Sequence, residues 1–71
     1  MTLAEIAVAR ETVDDAATSA LVLAGQLELA REAGDERVPE QLPKGIARGA
    51  LALLGTVAAL EKLEKERQKD E

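Results

Sequence analysis

Two uncharged segments of equal length constrain this chain most. Ala16–Leu27 reads AATSALVLAGQL and Gly49–Leu60 reads GALALLGTVAAL, twelve residues each without an acid or a base. A segment with two prolines and two glycines, GDERVPEQLPKG, lies between them. Folding the chain there lays the two side by side. Both are apolar around most of a helix circumference, and two helices cannot bury each other on every side. Something further has to cover them.

Length sharpens the problem. The chain has 71 residues, enough for one small domain (1–71). A core of that size rarely supplies more than ~3–5 kcal/mol, so small folds usually need a staple. There is no Cys, hence no disulfide and no thiolate metal site. There is no His, the commonest zinc and haem ligand, and no aromatic residue to anchor a core. No metal and no cofactor are expected. Oligomerisation is the staple that remains.

The same composition narrows the partners. A net charge of −5 argues against nucleic acid, and no aromatic platform exists on which bases could stack. The uncharged runs fall short of the ~20 residues a membrane span needs. The N-terminus has Glu5 and no basic start, so it does not read as a signal peptide. With no address in the sequence, a reducing cytoplasm is the default expectation.

Helix formers dominate the chain, and the spacing predicts an all-α hairpin: one helix over about 3–33, a loop over 34–43 and a second helix over about 43–68. Thr2 and Glu5 match a capping box at the first start. Leu3, Ile6, Val13, Ala17, Ala20, Ala24 and Leu27 then alternate by three and four, interrupted by Arg10. That is a heptad seam. Thr12-Val13-Asp14-Asp15 offers a rival N-cap, but no Gly or Pro supports a break there. Gly34 is placed to stop the helix in a left-handed conformation. Pro43 or Pro39 suits a first helical turn, so the second start lies between Pro39 and Lys44. Val38 and Leu42 are apolar plugs for the end of the bundle. Residues 61–71, EKLEKERQKDE, form a charged helical tail in which Glu61–Lys65 and Lys62–Glu66 can pair across one turn.

The second helix sorts into four stripes at ~100° per residue. Ile46, Ala50, Leu53, Val57 and Leu60 make one seam. Ala47, Leu51, Leu54 and Ala58 make a second. Gly45, Gly49, Ala52, Thr56 and Ala59 make a third, of small residues only. Lys44, Arg48, Gly55, Lys62 and Glu66 form the solvent meridian. A helix in a two-layer bundle needs one apolar stripe; three imply neighbours on about three sides. On the first helix, Val22, Leu23 and Leu29 lie off the seam, on a flank with Ala9, Ala16 and Ala30. Glu11, Asp14, Thr18, Gly25 and Glu32 mark its polar meridian, and Val8, Thr12, Asp15, Ser19 and Gln26 a mixed rim. Expected core and interface positions are therefore Leu3, Ile6, Val13, Ala17, Ala20, Leu21, Val22, Leu23, Ala24, Leu27, Ile46, Gly49, Ala50, Leu51, Ala52, Leu53, Leu54, Thr56, Val57 and Leu60.

Catalytic constellations do not emerge. Thr18 and Ser19 read as helix hydroxyls bonding to the preceding turn, and Ser19 has no His to activate it. Asp14 and Asp15 are adjacent, so they point ~100° apart and make no carboxylate dyad. Gly45-x-x-x-Gly49 sits inside a helix and not after a strand, so it is no phosphate loop. It reads as a close-packing surface, like the glycines at 25 and 55, which stand at one mid-bundle level and suit a close crossing with another subunit.

The capping box, the Gly34 stop, Pro43 at a helix start, the EKLEKERQKDE surface and the lack of His, Cys and aromatics together resemble designed helical homo-oligomers and cages. The resemblance covers the whole chain and implies a self-assembling structural protein without catalysis. Natural plasmid-copy-control RNA-binding hairpins, which dimerise into four-helix bundles, are also similar in outline. Their aromatic and basic RNA-binding face is missing here. The expectation is a closed symmetric homo-oligomer, a ring or larger cage, whose partner is a copy of itself. The alternatives are a module for a different protein partner, or a small-molecule binder with a cavity at the Gly/Ala level.

Overall fold

The computed structural model describes residues 1–70, which form an all-α helical hairpin of α1 (Leu3–Glu32) and α2 (Gln41–Asp70). α1 begins as its sequence dictates. Thr2 Oγ1 accepts from the Glu5 amide at 3.1 Å, and the Thr2 amide donates to Glu5 Oε1 at 3.0 Å. Two of the helix's orphan donors are thereby satisfied. The helix runs through Thr12 without a break. The Thr12 hydroxyl, which would have to cap a second helix, donates instead to the Val8 carbonyl at 2.9 Å.

α1 ends at a Schellman motif. Gly34 takes φ +97°, a conformation that L side chains rarely adopt. Its amide donates to the Arg31 carbonyl and the Asp35 amide to the Ala30 carbonyl, each at 3.0 Å. The loop is tied locally: Arg37 donates to the Asp35 carboxylate from both its backbone and its guanidinium, at 3.0 Å. α2 starts at Gln41, two residues ahead of the start expected at Pro43. Pro43 is tolerated there because the first four amides of a helix have no carbonyl to bond in any case. α2 also runs on to Asp70, past the expected end at 68. The tail is helical through its described part, and Glu71 lies outside the described residues.

One seam joins the helices. Ile6, Ala17 and Ala24 of α1 and Ala50 and Val57 of α2 are buried, and Pro43 extends the α2 side. Arg10, the interruption in the α1 seam, has a partner. Its Nε donates to Glu64 Oε1 at 2.9 Å, with the two side chains 28% and 20% exposed. Glu64 continues the Ile46, Ala50, Leu53, Val57, Leu60 spacing, so the ion pair occupies a seam position on both helices. It also marks the register. Counting away from it at 1.5 Å per residue in opposite directions, Ala17 falls level with Val57 and Ala24 with Ala50, and all four are buried.

The product is long and thin, 55 × 14 × 13 Å, with a radius of gyration of 16.2 Å. A compact chain of this length has a radius of ~11 Å. The exposed area of 5071 Å² compares with ~4,250 Å² for a compact monomer of this mass. Folding to a lone hairpin thus leaves surface that a globular domain would remove.

Candidate self-association surface

The expected interface residues divide into two sets. Beside the five buried ones, Leu3, Val13, Ala20, Leu27, Ile46, Leu53, Leu54 and Leu60 are half-buried between the helices. Leu21, Val22, Leu23, Gly49, Leu51, Ala52 and Thr56 are exposed. The first set holds the hairpin together. The second faces outward, with nothing in the hairpin to cover it.

Burial quantifies the shortfall. Among the described residues Ile6 is the one large side chain that is fully buried. Val8 and Leu51 are each 62% exposed and Leu29 is 68% exposed. Met1, Leu21, Val22, Leu23 and Leu42 are exposed as well. Leaving a Leu or Val in water forgoes about 1.5–3 kcal/mol relative to full burial. Isolated apolar side chains on a surface are ordinary; a sequence of them on several faces of a two-helix unit is not.

These residues spread over three surfaces. On one broad side, Leu21, Ala24, Gly25, Glu28, Pro43, Lys44 and Ala47 line an open groove of about 410 Å³. The Gly/Ala level, where the small-molecule alternative places a cavity, is an open groove in the lone hairpin. The opposite broad side carries Ala16 and Leu23 of α1 beside Gly45, Gly49 and Ala52 of α2. The outer edge of α1, away from α2, carries Val8, Val22 and Leu29. Near its N-terminus, Met1, Ala4, Glu5, Val8 and Ala9 line a second open groove of about 440 Å³. The polar meridian expected through Glu11, Asp14, Thr18, Gly25 and Glu32 therefore does not face directly away from α2. The seam sets the rotation of the helix, and it turns Val8, Val22 and Leu29 outermost instead.

The glycines agree with this division. A Cβ added at Gly25, Gly45, Gly49 or Gly55 meets nothing within 4 Å. The small-residue stripe and the mid-helix pair thus do not serve the α1–α2 contact. In the lone hairpin each costs ~1 kcal/mol relative to Ala without a compensating contact.

Electrostatics stay local. Besides Arg10–Glu64, the ion pairs among the described residues are Arg31–Glu28, Arg37–Asp35 and Lys44–Glu40, all near the loop. The i,i+4 pairs expected at Glu61–Lys65 and Lys62–Glu66 are not among them. The Arg31 guanidinium lowers the Glu28 carboxyl, hydrogen bonds from Arg37 lower Asp35, and Lys44 lowers Glu40. The Thr2 backbone amide lowers Glu5. Expected back-bonding of Thr18 and Ser19 is seen instead at Thr12 and Thr56, whose hydroxyls donate to Val8 and Ala52.

Two features are hidden at the level of sequence. Glu64 belongs by composition to the solvated tail, although its place four residues after Leu60 on the seam is a signal. The outward position of Val8 is masked by its polar neighbours on the mixed rim, and Leu29, off the seam on an apolar flank, stands outside the expected interface set. No group of three or more acidic side chains among the described residues could hold a metal ion, and no helix is long and apolar enough to cross a membrane. No family model, no curated protein and no solved structure matches the chain.

Proposed function

We propose that this hairpin is a structural building block, one that associates with copies of itself through its exposed apolar faces into a closed symmetric homo-oligomer, a ring or a larger cage, and does no catalysis. The observation that carries the reading is the row of uncovered leucines and valines on both sides and along the outer edge of a hairpin whose buried apolar residues, among those described, are Ile6, Ala17, Ala24, Pro43, Ala50 and Val57. Surface area supports it: the hairpin keeps about half of the ~10,900 Å² that its unfolded chain would expose, where small stable domains keep about two-fifths. Closed homo-oligomers are the commonest way for one chain to bury such faces. Three apolar surfaces favour more neighbours than a simple two-chain bundle needs. The resemblance to designed assemblies points the same way.

Folding and association are then one process, and helicity depends on protein concentration. Thermal unfolding followed by circular dichroism over a hundredfold dilution tests this. The midpoint is expected to fall on dilution. A midpoint that does not move, from a chain that sediments as a monomer throughout, would contradict the proposal.

A further inference from the structure

Resting on that self-association, we infer that two copies meet through the broad face opposite the Leu21–Ala47 groove, running antiparallel about a two-fold axis at the middle of the uncharged belt. Charge selects the face. Between Ala9 and Ala30 on α1, and between Leu42 and Leu63 on α2, this side holds no acid or base. The groove side does. There Asp14 and Glu61 stand level with each other, and Lys44 and Lys65 sit at opposite ends. Two copies meeting through the groove with their loops together would gather four carboxylates. Meeting the other way they would bring each Lys44, already paired with Glu40, toward the partner's Lys65 and would enclose Glu28 of the groove wall in the contact. The uncharged side meets itself at no such cost.

Size is close to sufficient. Twenty-two residues at 1.5 Å, across the 14 Å breadth of the hairpin, give ~460 Å² per copy and ~920 Å² in all, near the ~1,000 Å² that specific interfaces need.

Shape fixes the centre. With Ser19 opposite the partner's Ser19, Leu23 lies over the partner's Ala16 and Thr12 comes beside the partner's Gln26. On α2 the matching arrangement sets Leu63 over the partner's Gly45 and Gly49 over the partner's Ala59. Those α2 pairs centre on residue 54, which stands level with residue 20 of α1 by the Arg10–Glu64 register. One axis therefore serves both helices. The space where Cβ atoms would stand on Gly45 and Gly49 is open, which leaves room for the partner's leucine. Ser19 makes no side-chain hydrogen bond among the described residues, so its hydroxyl is available at the axis.

Charge also selects the direction. The open end, residues 1–15 and 61–71, carries nine acids against five bases; the loop end, residues 28–48, carries five against four. Antiparallel pairing keeps the two strongly acidic ends apart. A contact of this isologous kind gives the closed assembly an even number of subunits.

A single exposed substitution tests the axis. Oxidised Ser19→Cys is expected to form a covalent dimer, because position 19 meets itself there alone. Nitroxide labels on Glu36→Cys, in the loop, are expected ~50 Å apart, set by the rise per residue and close to the 55 Å length of the hairpin. An even-numbered assembly by native mass, with both results, supports the inference. An assembly in which the Ser19→Cys variant does not cross-link and the loop labels lie within ~20 Å overturns it, since an axis parallel to the helices would give that, and leaves the self-association standing. A folded monomer overturns both.

Discussion

Arg10 and Glu64 show what one residue decides in so thin a core. A polar pair in a heptad seam gives up apolar burial and in return fixes which positions stand level. Arg10→Leu strands Glu64 beside the seam and is expected to lower stability. Arg10→Leu with Glu64→Leu is expected to restore it to the starting value or above, at some loss of a unique register. Denaturant unfolding of the two single variants and the double variant measures the coupling; a double variant no better than the worse single would contradict the assignment. Glu5 carries a pH dependence. Its carboxyl lies below the ordinary range because it accepts from the Thr2 amide. A folded value below the unfolded one means that the stabilisation is present above the ordinary carboxylate range and is lost as pH falls through the lowered value. Glu28, Asp35 and Glu40 shift in the same direction. Acidification is therefore expected to loosen the first turn of α1 and the loop. Amide exchange at Thr2 and Arg37 reads this directly, and protection unchanged below the carboxylate range would contradict it.

At the scale of the helix, most of the fold was legible because local rules and the heptad agreed. Thr2–Glu5 and Gly34 bounded α1, and Leu3 to Leu27 oriented it. The start of α2 was less legible, since Pro39 and Pro43 both fit a first turn and the choice falls to the loop geometry before them. The outward faces were less legible still. Stripes on one helix rank positions by polarity, whereas the packed seam decides which of them face water; Leu29 already stood off the seam, but Val8 emerged as outermost only once α2 was in place. Leu53 tests the seam itself. It is half-buried between the helices, and Leu53→Glu puts a charge there. Disassembly with loss of helicity is expected, because the hairpin alone lacks the core to survive it. A full-sized, fully helical assembly from this variant would show that the seam is misassigned.

For the whole molecule the governing fact is shape. A 55 Å hairpin only 14 Å across cannot hide the apolar residues its sequence carries, whether in the two uncharged dodecads (Leu21, Val22, Leu23, Leu51) or beyond them (Met1, Val8, Leu29, Leu42). The charged ends bound the belt. No His is present and the proposed contact face carries no charge, so association is expected to persist across neutral pH and to resist added salt. Native mass spectrometry of the purified chain at micromolar concentration tests the central claim most directly. A single species at an integer multiple of 7.5 kDa, unchanged in high salt, is the predicted result. A folded species at 7.5 kDa with no larger assembly would contradict it.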